Sequence, residues 1–289
     1  MKNVVILGCE NSHANSFLYF IKEETKYSDV NVIGVYSDDA EAANKLSEKY
    51  GVKVMKSFDE AIGEVDGVIV TARHGANHYK YAAPYISMGV PMFIDKPITV
   101  CGEEAVTFMR ECRDNGVKIT GGSCCKHDVF VKKMKKDREE DIFGKTLSGL
   151  VRAPINLDNP YGGFYFYSQH LVEMVCEIFG RYPKSVRAYR SGDNITVIFR
   201  YPEYDAVGVF TSGVNNYHIV RCAEEETDVQ KCDIGRDCFL AEFDEFYELL
   251  SGGEQLISYD DFIAPVFILN AINESLETGL DVAVKEFKV

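Results

Sequence analysis

Over the first part of the chain, about 120 residues, short apolar runs that do not alternate are each followed by a stretch of helical period. The runs fall at residues 4–7, 30–36, 67–72, 91–94 and 117–120, and the helical stretches at 15–22, 40–50, 79–88 and 103–115. In the second helical stretch Ala43, Leu46 and Tyr50 recur at spacings of three and four, and Gly51 is placed to stop it. In the fourth, Val106, Met109 and Cys112 form one stripe and Gly116 follows. Pro84 is expected to bend or shorten the third. Strands apolar on successive residues are buried on both faces, which is the condition of a parallel sheet covered by helices. Ligands of such sheets sit beyond the carboxyl ends of the strands. The informative residues are therefore 8–13, 37–39, 71–78 and 95–97.

After about residue 123 the texture changes. A basic helix spans 129–138, and strand-like runs follow at 146–154, 185–189, 194–201, 206–211 and 217–222. Several alternate, as at Val197, Phe199 and Tyr201. Close spacing with few intervening helices predicts an antiparallel sheet with one open face. Helical period returns at 168–179, 238–250 and 259–276, and the run at 282–287 is expected to add an edge strand. The fold class is thus α/β plus α+β: an N-terminal Rossmann-type parallel sheet over 1–122, then a C-terminal domain over 123–289 with a largely antiparallel open sheet.

Composition narrows the function. At 289 residues the chain is long enough for two domains, and a net charge of −14 argues against a general phosphate-backbone binder, so no nucleic-acid partner is expected. A small anionic ligand in a local site remains compatible with that charge. No apolar stretch approaches a membrane span or the long core of a signal peptide, so no membrane partner is expected and the chain is placed in the cytoplasm. Nine cysteines, an odd count without any C-x-x-C pair, read as free thiols of a reducing compartment; adjacent Cys124 and Cys125 are not expected to pair. His74 and His78 share a turn without a cysteine or carboxylate pattern beside them, and no metal site is expected. The lysines at 132–136 read as a solvated helix face, and 224–228 as a solvated charged loop.

The strand-end residues carry the chemistry. In GCENSH (8–13), Gly8 matches the first glycine of the G-x-G-x-x-G dinucleotide fingerprint, while Glu10 and His13 stand at the other two glycine positions. Asn11 and Ser12 cap the following helix and offer donors to an anion, and His13 adds a tunable donor. The acidic residue that grips an adenosine ribose falls on Ser37; Asp38 and Asp39 follow, with no Arg or Lys in YSDDAEA. Two carboxylates repel a 2′-phosphate, so NAD is expected in preference to NADP, with Asp38 as ribose partner; either aspartate also suits the cap of the helix at Ala40. Lys96, flanked by Asp95 and Pro97 at a strand's carboxyl end, offers an ammonium to a developing alkoxide. Ser168 is predicted as an N-cap, with Leu171, Val172, Val175 and Phe179 as the buried stripe and His170 near the helix start. A neutral imidazole there takes a hydroxyl proton, and Glu173, one turn on, orients the ring.

These stretches resemble the Gfo/Idh/MocA oxidoreductase family, the relatives of glucose–fructose oxidoreductase and inositol dehydrogenase. Residues 89–97 (GVPMFIDKP) match the family's G-x-x-V-x-x-E-K-P with Asp95 for Glu and Met92 for Val. Residues 71–78 (TARHGANH) resemble its T-P-N-x-x-x-H, and 165–173 (YFYSQHLVE) the surroundings of its catalytic histidine. The resemblance covers nearly the whole chain. It implies an NAD(P)-dependent dehydrogenase or reductase acting on the CH–OH group of a sugar, inositol or related polyol. In that reading Lys96 contacts the substrate hydroxyl and the nicotinamide ribose, and His170 is the catalytic base. Thr71, Arg73, His78 and Asp95 lie on the cofactor side; Lys126, Tyr165, Tyr167 and Glu173 lie toward the small-molecule substrate. Lys96 and His170 are expected to converge on one crevice. Self-association into a homodimer or homotetramer through the exposed face of the second sheet is also implied. Phe166 stands where many relatives carry an Asp four residues before the histidine. Two alternatives keep the scaffold: an NAD-using glycoside-cleaving enzyme, and a non-catalytic sensor or binding protein, which the altered GCENSH turn and Phe166 would suit.

Overall fold

The computed structural model describes residues 1–289. The chain forms two compact units, Met1–Gly122 with Phe239–Phe262 and Val289, and Ser123–Cys238 with Ile263–Lys288.

In the first unit β1 (Lys2–Leu7), β2 (Val30–Tyr36), β3 (Gly67–Val70), β4 (Met92–Asp95) and β5 (Ile119–Gly122) form a sheet in the order β2-β1-β3-β4-β5, parallel throughout. Every residue of β3, β4 and β5 is buried, as expected from runs without alternation. The crossovers carry α1 (Ser12–Glu23), α2 (Ala40–Tyr50), α3 (His78–Ile86) and α4 (Gly102–Asp114). Gly51 ends α2 in a left-handed cap, and Pro84 lies inside α3, which stops at Ile86 rather than at 88. The chain winds to opposite sides of β1 at β2 and β3, which makes the β1–β3 ends the switch point where doubly wound sheets open a crevice.

The aromatic core of this unit draws on the far end of the chain. Phe17 of α1 packs against Phe93 of β4 at 5.0 Å between ring centroids and against Phe243, also at 5.0 Å. Phe243 and Phe246 belong to the later helix over Arg236–Leu250 and are fully buried in the same cluster. Each such ring contributes roughly 1.5–3 kcal/mol by leaving water. A contiguous division at 122/123 leaves this returning segment, 239–262, outside the unit whose core it completes.

The second unit holds α5 (Val129–Glu139), β6 (Thr146–Pro154), α6 (Phe164–Phe179), β7 (Ser185–Ser191), β8 (Asn194–Arg200), β9 (Asp205–Thr211), β10 (Tyr217–Ala223) and β11 (Thr227–Cys232). After them come α7 (Arg236–Leu250), which passes into the first unit, α8 (Tyr259–Thr278) and β12 (Val282–Ala283). Its sheet has the order β11-β10-β6-β9-β8-β7-β12, antiparallel except for the β6–β9 pair. Burial alternates along β8 and β10, so one face is covered and the other open. The helix α6 lies close on the covered face: a Cβ on Gly149 would stand 2.3 Å from the Phe179 ring, so only glycine fits there.

Three details correct the sequence expectations. The helix carrying His170 starts at Phe164, not at Ser168; its N-cap is Gly163, and the Ser168 hydroxyl instead donates to the Phe164 carbonyl one turn back. The aromatic residues 164–167 gave no polar start signal, yet they form the first helical turn. Part of the charged stretch at 224–228 enters β11, an edge strand that alternates exposed and half-buried residues, most of them polar, and so shows no apolar stripe. The terminal edge strand is two residues long, pairing Val282 with Val186 and Ala283 with Ser185. All nine cysteines are free, and no helix is long and apolar enough to cross a membrane.

Candidate active site

At the first strand end, the Gly8 and Cys9 amides both donate to the Tyr36 carbonyl, at 2.8 and 3.0 Å, which folds the turn back over β2. Gly8 has φ +77°, and a Cβ there would lie 2.3 Å from the Ala72 backbone. Glycine is therefore required by the neighbouring strand end. Thr71, fully buried, donates to the Gly8 carbonyl at 3.1 Å and closes the same contact from β3.

Glu10 stands where the fingerprint has its second glycine. Its carboxylate accepts from Ser37 Oγ at 2.7 Å and from the Arg73 amide at 2.9 Å, bridging the ends of β2 and β3. Ser37 thus meets an acid delivered from the β1 turn, at the position where an acid was sought from β2 itself. Asp38 is held by the hydroxyls of Tyr36 (2.7 Å) and Tyr81 (2.8 Å), which keep its carboxyl below the usual carboxylate range. Asp39, not Asp38, caps α2, accepting from the Glu41 and Ala42 amides.

Asn11 occupies the N-cap position of α1, but its side chain makes no cap bond. It donates instead to Asp95 Oδ2 at 2.6 Å, and Ser12 Oγ donates to Asn11 Oδ1 at 3.1 Å. The first turn of α1 carries no acidic residue and its N-cap side chain makes no cap bond, a helix start that suits an anion. His13 does not share that duty. It is 3% exposed, with Nδ1 3.2 Å from Asp95 Oδ2, Nε2 3.1 Å from Glu242 Oε2 and the Phe239 ring 4.6 Å away. It is a strut between β4 and α7.

Asp95 is fully buried and also accepts the Lys96 amide at 2.7 Å. Lys96 is itself buried, and the Lys96–Pro97 bond is cis. His78 has no exposed surface: its Nε2 donates to the Ala72 carbonyl at 2.7 Å, pinning α3 to the end of β3 rather than presenting a polar face. Burial pushes the His78 imidazole down to about 4.

In the second unit His170 is 7% exposed and stands in the second turn of α6, not at its start as expected. Its Nδ1 lies 2.6 Å from Ser123 Oγ and 3.4 Å from Cys125 Sγ. Cys125 N donates to the same Ser123 Oγ at 3.2 Å. Burial pushes the Cys125 thiol up, but the Cys124 hydrogen bond and the neighbouring imidazole outweigh it and hold the thiol well below its ordinary 9.0. Glu173 does not touch the ring as expected. It accepts from the Ser123 amide at 2.9 Å and from Gln169 at 2.5 Å, and burial raises its carboxyl. The rings of Tyr167 and Tyr217 flank the imidazole at centroid distances of 5.8 and 6.3 Å. Tyr165 is half-buried and accepts from Asn270 at 3.1 Å. Lys126 is half-buried on the Cys124–His127 turn, and its charge bears on Glu173. Beside it His127 is pushed down to about 2 by burial and by Lys126 and Lys132.

The structure therefore gathers Gly8, Asn11, Ser12, Ser37, Thr71, Arg73, Asp95 and Lys96 at the strand ends of the first unit, and Tyr167, His170 and Glu173 in the second. Sequence reasoning missed Glu10 as a bridging acid, Glu242, and the Ser123–Cys125 turn. The last follows β5 directly, so the rule that pointed to residues after parallel strands applied to it equally. Glu242 is separated from His13 by 229 positions and had no local signal.

A protein-family model described as "Oxidoreductase family, NAD-binding Rossmann fold" (GFO_IDH_MocA) matches residues 2–123. A curated oxidoreductase from Formosa agariphila is 20% identical in an alignment 195 positions long that covers 61% of this chain and 60% of that protein, so the chain spans about three fifths of that relative. Among solved structures, a putative myo-inositol dehydrogenase from Sinorhizobium meliloti aligns with a TM-score of 0.84 at 16% identity, over 99% of this chain and 100% of that one. Scyllo-inositol dehydrogenase from Lactobacillus casei, with bound NAD(H) and scyllo-inositol, gives 0.84 at 13% identity over 98% and 99%. GenD2 from gentamicin A biosynthesis, in complex with NAD, gives 0.85 at 16% over 99% and 97%. At these identities the likeness is one of fold.

The buried histidines set an acid limit on the fold. An unfolded imidazole titrates near its ordinary 6.5, whereas folded His78 does so at about 4 and His127 at about 2. Below about pH 6.5 the unfolded chain binds protons that the folded chain refuses, so stability is full above that value and is lost as pH falls toward 4; for His78 the loss is on the order of 3 kcal/mol. Urea midpoints are expected to drop between about pH 7 and about pH 4.5, and to drop less in His78→Gln. Equal drops in both proteins would contradict the assignment.

Proposed function

We propose that the chain, whose residues 2–123 match the model of the Gfo/Idh/MocA oxidoreductase family, is an enzyme of that family and moves a hydride between a nicotinamide dinucleotide and a carbinol carbon of a polyol, inositols foremost. The inositol dehydrogenases that share its fold support this substrate class. The chain's own residues fit the dinucleotide. The uncapped first turn of α1 lies at the switch point of the sheet and suits a pyrophosphate, and the Glu10 carboxylate is spent on Ser37 and Arg73 N rather than left unpaired. When bound, the nicotinamide supplies the hydride acceptor or donor.

The observation that carries this reading is Lys96 at the carboxyl end of β4, next to the Asp95 carboxylate that also fixes the β1–α1 turn. One buried group thereby sets both the anion-facing turn and the backbone of the lysine. The Lys96 ammonium stabilises negative charge on the substrate oxygen. His170 accepts the hydroxyl proton. A proton on Nδ1, facing Ser123 Oγ and Cys125, leaves the Nε2 lone pair for that task. Glu173 is a positioning residue: it fixes Ser123 through its amide, and Ser123 fixes the ring. The first unit is the dinucleotide-binding part and the second, with Tyr165, Tyr167 and Lys126, the substrate-binding part.

Lys96→Ala is expected to lower kcat by about 10²-fold or more while changing the NADH dissociation constant by less than about tenfold, measured with myo-inositol, scyllo-inositol and hexoses as substrates. Unchanged turnover would remove the mechanism, and a wild-type chain inert toward all of them would remove the substrate class.

The cofactor is NAD in preference to NADP. Glu10 and Asp38 place two carboxylates by the end of β2, and a 2′-phosphate there meets repulsion where a ribose hydroxyl meets an acceptor. Fluorescence titration is expected to give at least about tenfold tighter binding of NADH than NADPH, with the gap narrowed in Glu10→Gln. Equal affinities would contradict the preference.

Self-association follows from the open face of the second sheet. The pairings Val220–Leu150, Leu150–Val207 and Val207–Ile198 set an apolar row across four strands on that face. Such a row is costly to leave wet. Light scattering is expected to give a dimer or tetramer of the 32.5 kDa chain, and a monomer would rule it out.

A further inference from the structure

Two thiols and an imidazole meet at the turn that opens the second unit. Cys124 Sγ, Cys125 Sγ and a ring nitrogen of His170 all lie within 4.8 Å of one another. The two cysteines are consecutive residues of the short Cys124–His127 turn, and the imidazole comes from α6, whose Nδ1 is 3.4 Å from Cys125 Sγ. All three are buried, at 2%, 0% and 7% exposure. Around a tetrahedral zinc, with Zn–S near ~2.3 Å and Zn–N near ~2.0 Å, ligand atoms stand roughly 3.4–3.8 Å apart. The Cys125–His170 separation already has that value, and closing the rest takes a movement of about 1 Å at most.

We infer that Cys124, Cys125 and His170 form a three-ligand site for a thiophilic cation of the zinc class. Two thiolates and an imidazole select zinc or copper(I) over magnesium or calcium, which require oxygen donors. With a divalent ion they make a neutral complex, which suits a buried position. Three protein ligands leave the fourth position to water or another small oxygen ligand. The adjacent sulfurs are better placed for a shared metal than for a bond to each other. Consecutive Cα atoms are ~3.8 Å apart, short of the roughly 4.4–6.8 Å that disulfides span. The usual spacing signatures of zinc sites do not include a C-C pair completed by a histidine 45 positions away, so the cluster emerges only when α6 packs on the turn.

The site goes beyond the hydride-transfer reading and does not rest on it. Ligation through Nδ1 leaves the remaining ring proton on Nε2, so a metal-bound His170 cannot accept the proton of a substrate hydroxyl. Metal occupancy and base function exclude each other, and added zinc competes with turnover.

The test uses the full chain, stripped by dialysis against a chelator. Zinc is titrated in competition with a chromophoric chelator, and cobalt(II) is followed by thiolate-to-metal charge-transfer absorption in the near ultraviolet. The expected result is one equivalent of zinc per chain, a cobalt–thiolate band, and at least about 100-fold weaker binding in Cys124→Ser and Cys125→Ser. Cys222→Ser, a cysteine of the same unit outside the cluster, is expected to bind as the wild type does. Absence of stoichiometric uptake, or uptake unaffected by both cluster variants, overturns the site whatever the chain's turnover. Should one cluster variant fail to fold by circular dichroism, the cobalt band of the wild type and the other variant decide. Turnover that survives in His170→Gln would sink the base role alone and leave the metal result standing.

Discussion

The buried carboxylate of Asp95 is the point on which the first unit's candidate site depends. It has no exposed surface, and it accepts the Asn11 amide group and the Lys96 backbone N–H, with the His13 ring beside it. A carboxylate removed from water is tolerated only when such donors replace its hydration. The donors come from the end of β4 and from the β1–α1 turn, so compensating one charge fixes both places at once. Through His13 the arrangement reaches Glu242 on α7, which explains why a helix from the far end of the chain completes this unit's core.

The second unit uses the same device at a different place. Glu173 is buried, takes the Ser123 amide and the Gln169 side chain, and through Ser123 sets the imidazole of His170. In each unit a buried acid accepts a backbone N–H beside the group proposed to meet substrate: Lys96 N for Asp95, Ser123 N for Glu173. Buried networks of this kind are rigid only when every member is satisfied.

Much of this was legible in the sequence, for physical reasons. Unalternating apolar runs announce strands buried on two faces, and the sheet β2-β1-β3-β4-β5 follows from them. Alternation at 197–201 announces the half-open second sheet. The start of α6 was misjudged because Ser168 resembles a cap, whereas a hydroxyl inside a helix can equally bond the carbonyl behind it. β11 was hidden because its half-buried face is built on Asp228 and Gln230, so the edge strand carries no apolar pattern. Lys96 was visible as chemistry at a strand end, and His170 through the motif around it, although it lies inside α6 rather than at its start. Their supports were less so: Glu10 read as a damaged glycine position rather than an acid reaching Ser37, and Glu242 and the Cys124–Cys125–His170 cluster join residues remote in sequence.

The most direct test of the central claim is NADH binding by Asp95→Ala, titrated by fluorescence beside the wild type. Loss of Asp95 removes the acceptor that Asn11, the His13 ring and the Lys96 backbone N–H share. The account predicts saturable binding by the wild type and an affinity at least about tenfold weaker in the variant, a loss of about 1.4 kcal/mol or more. A folded variant that binds NADH as tightly as the wild type would contradict it.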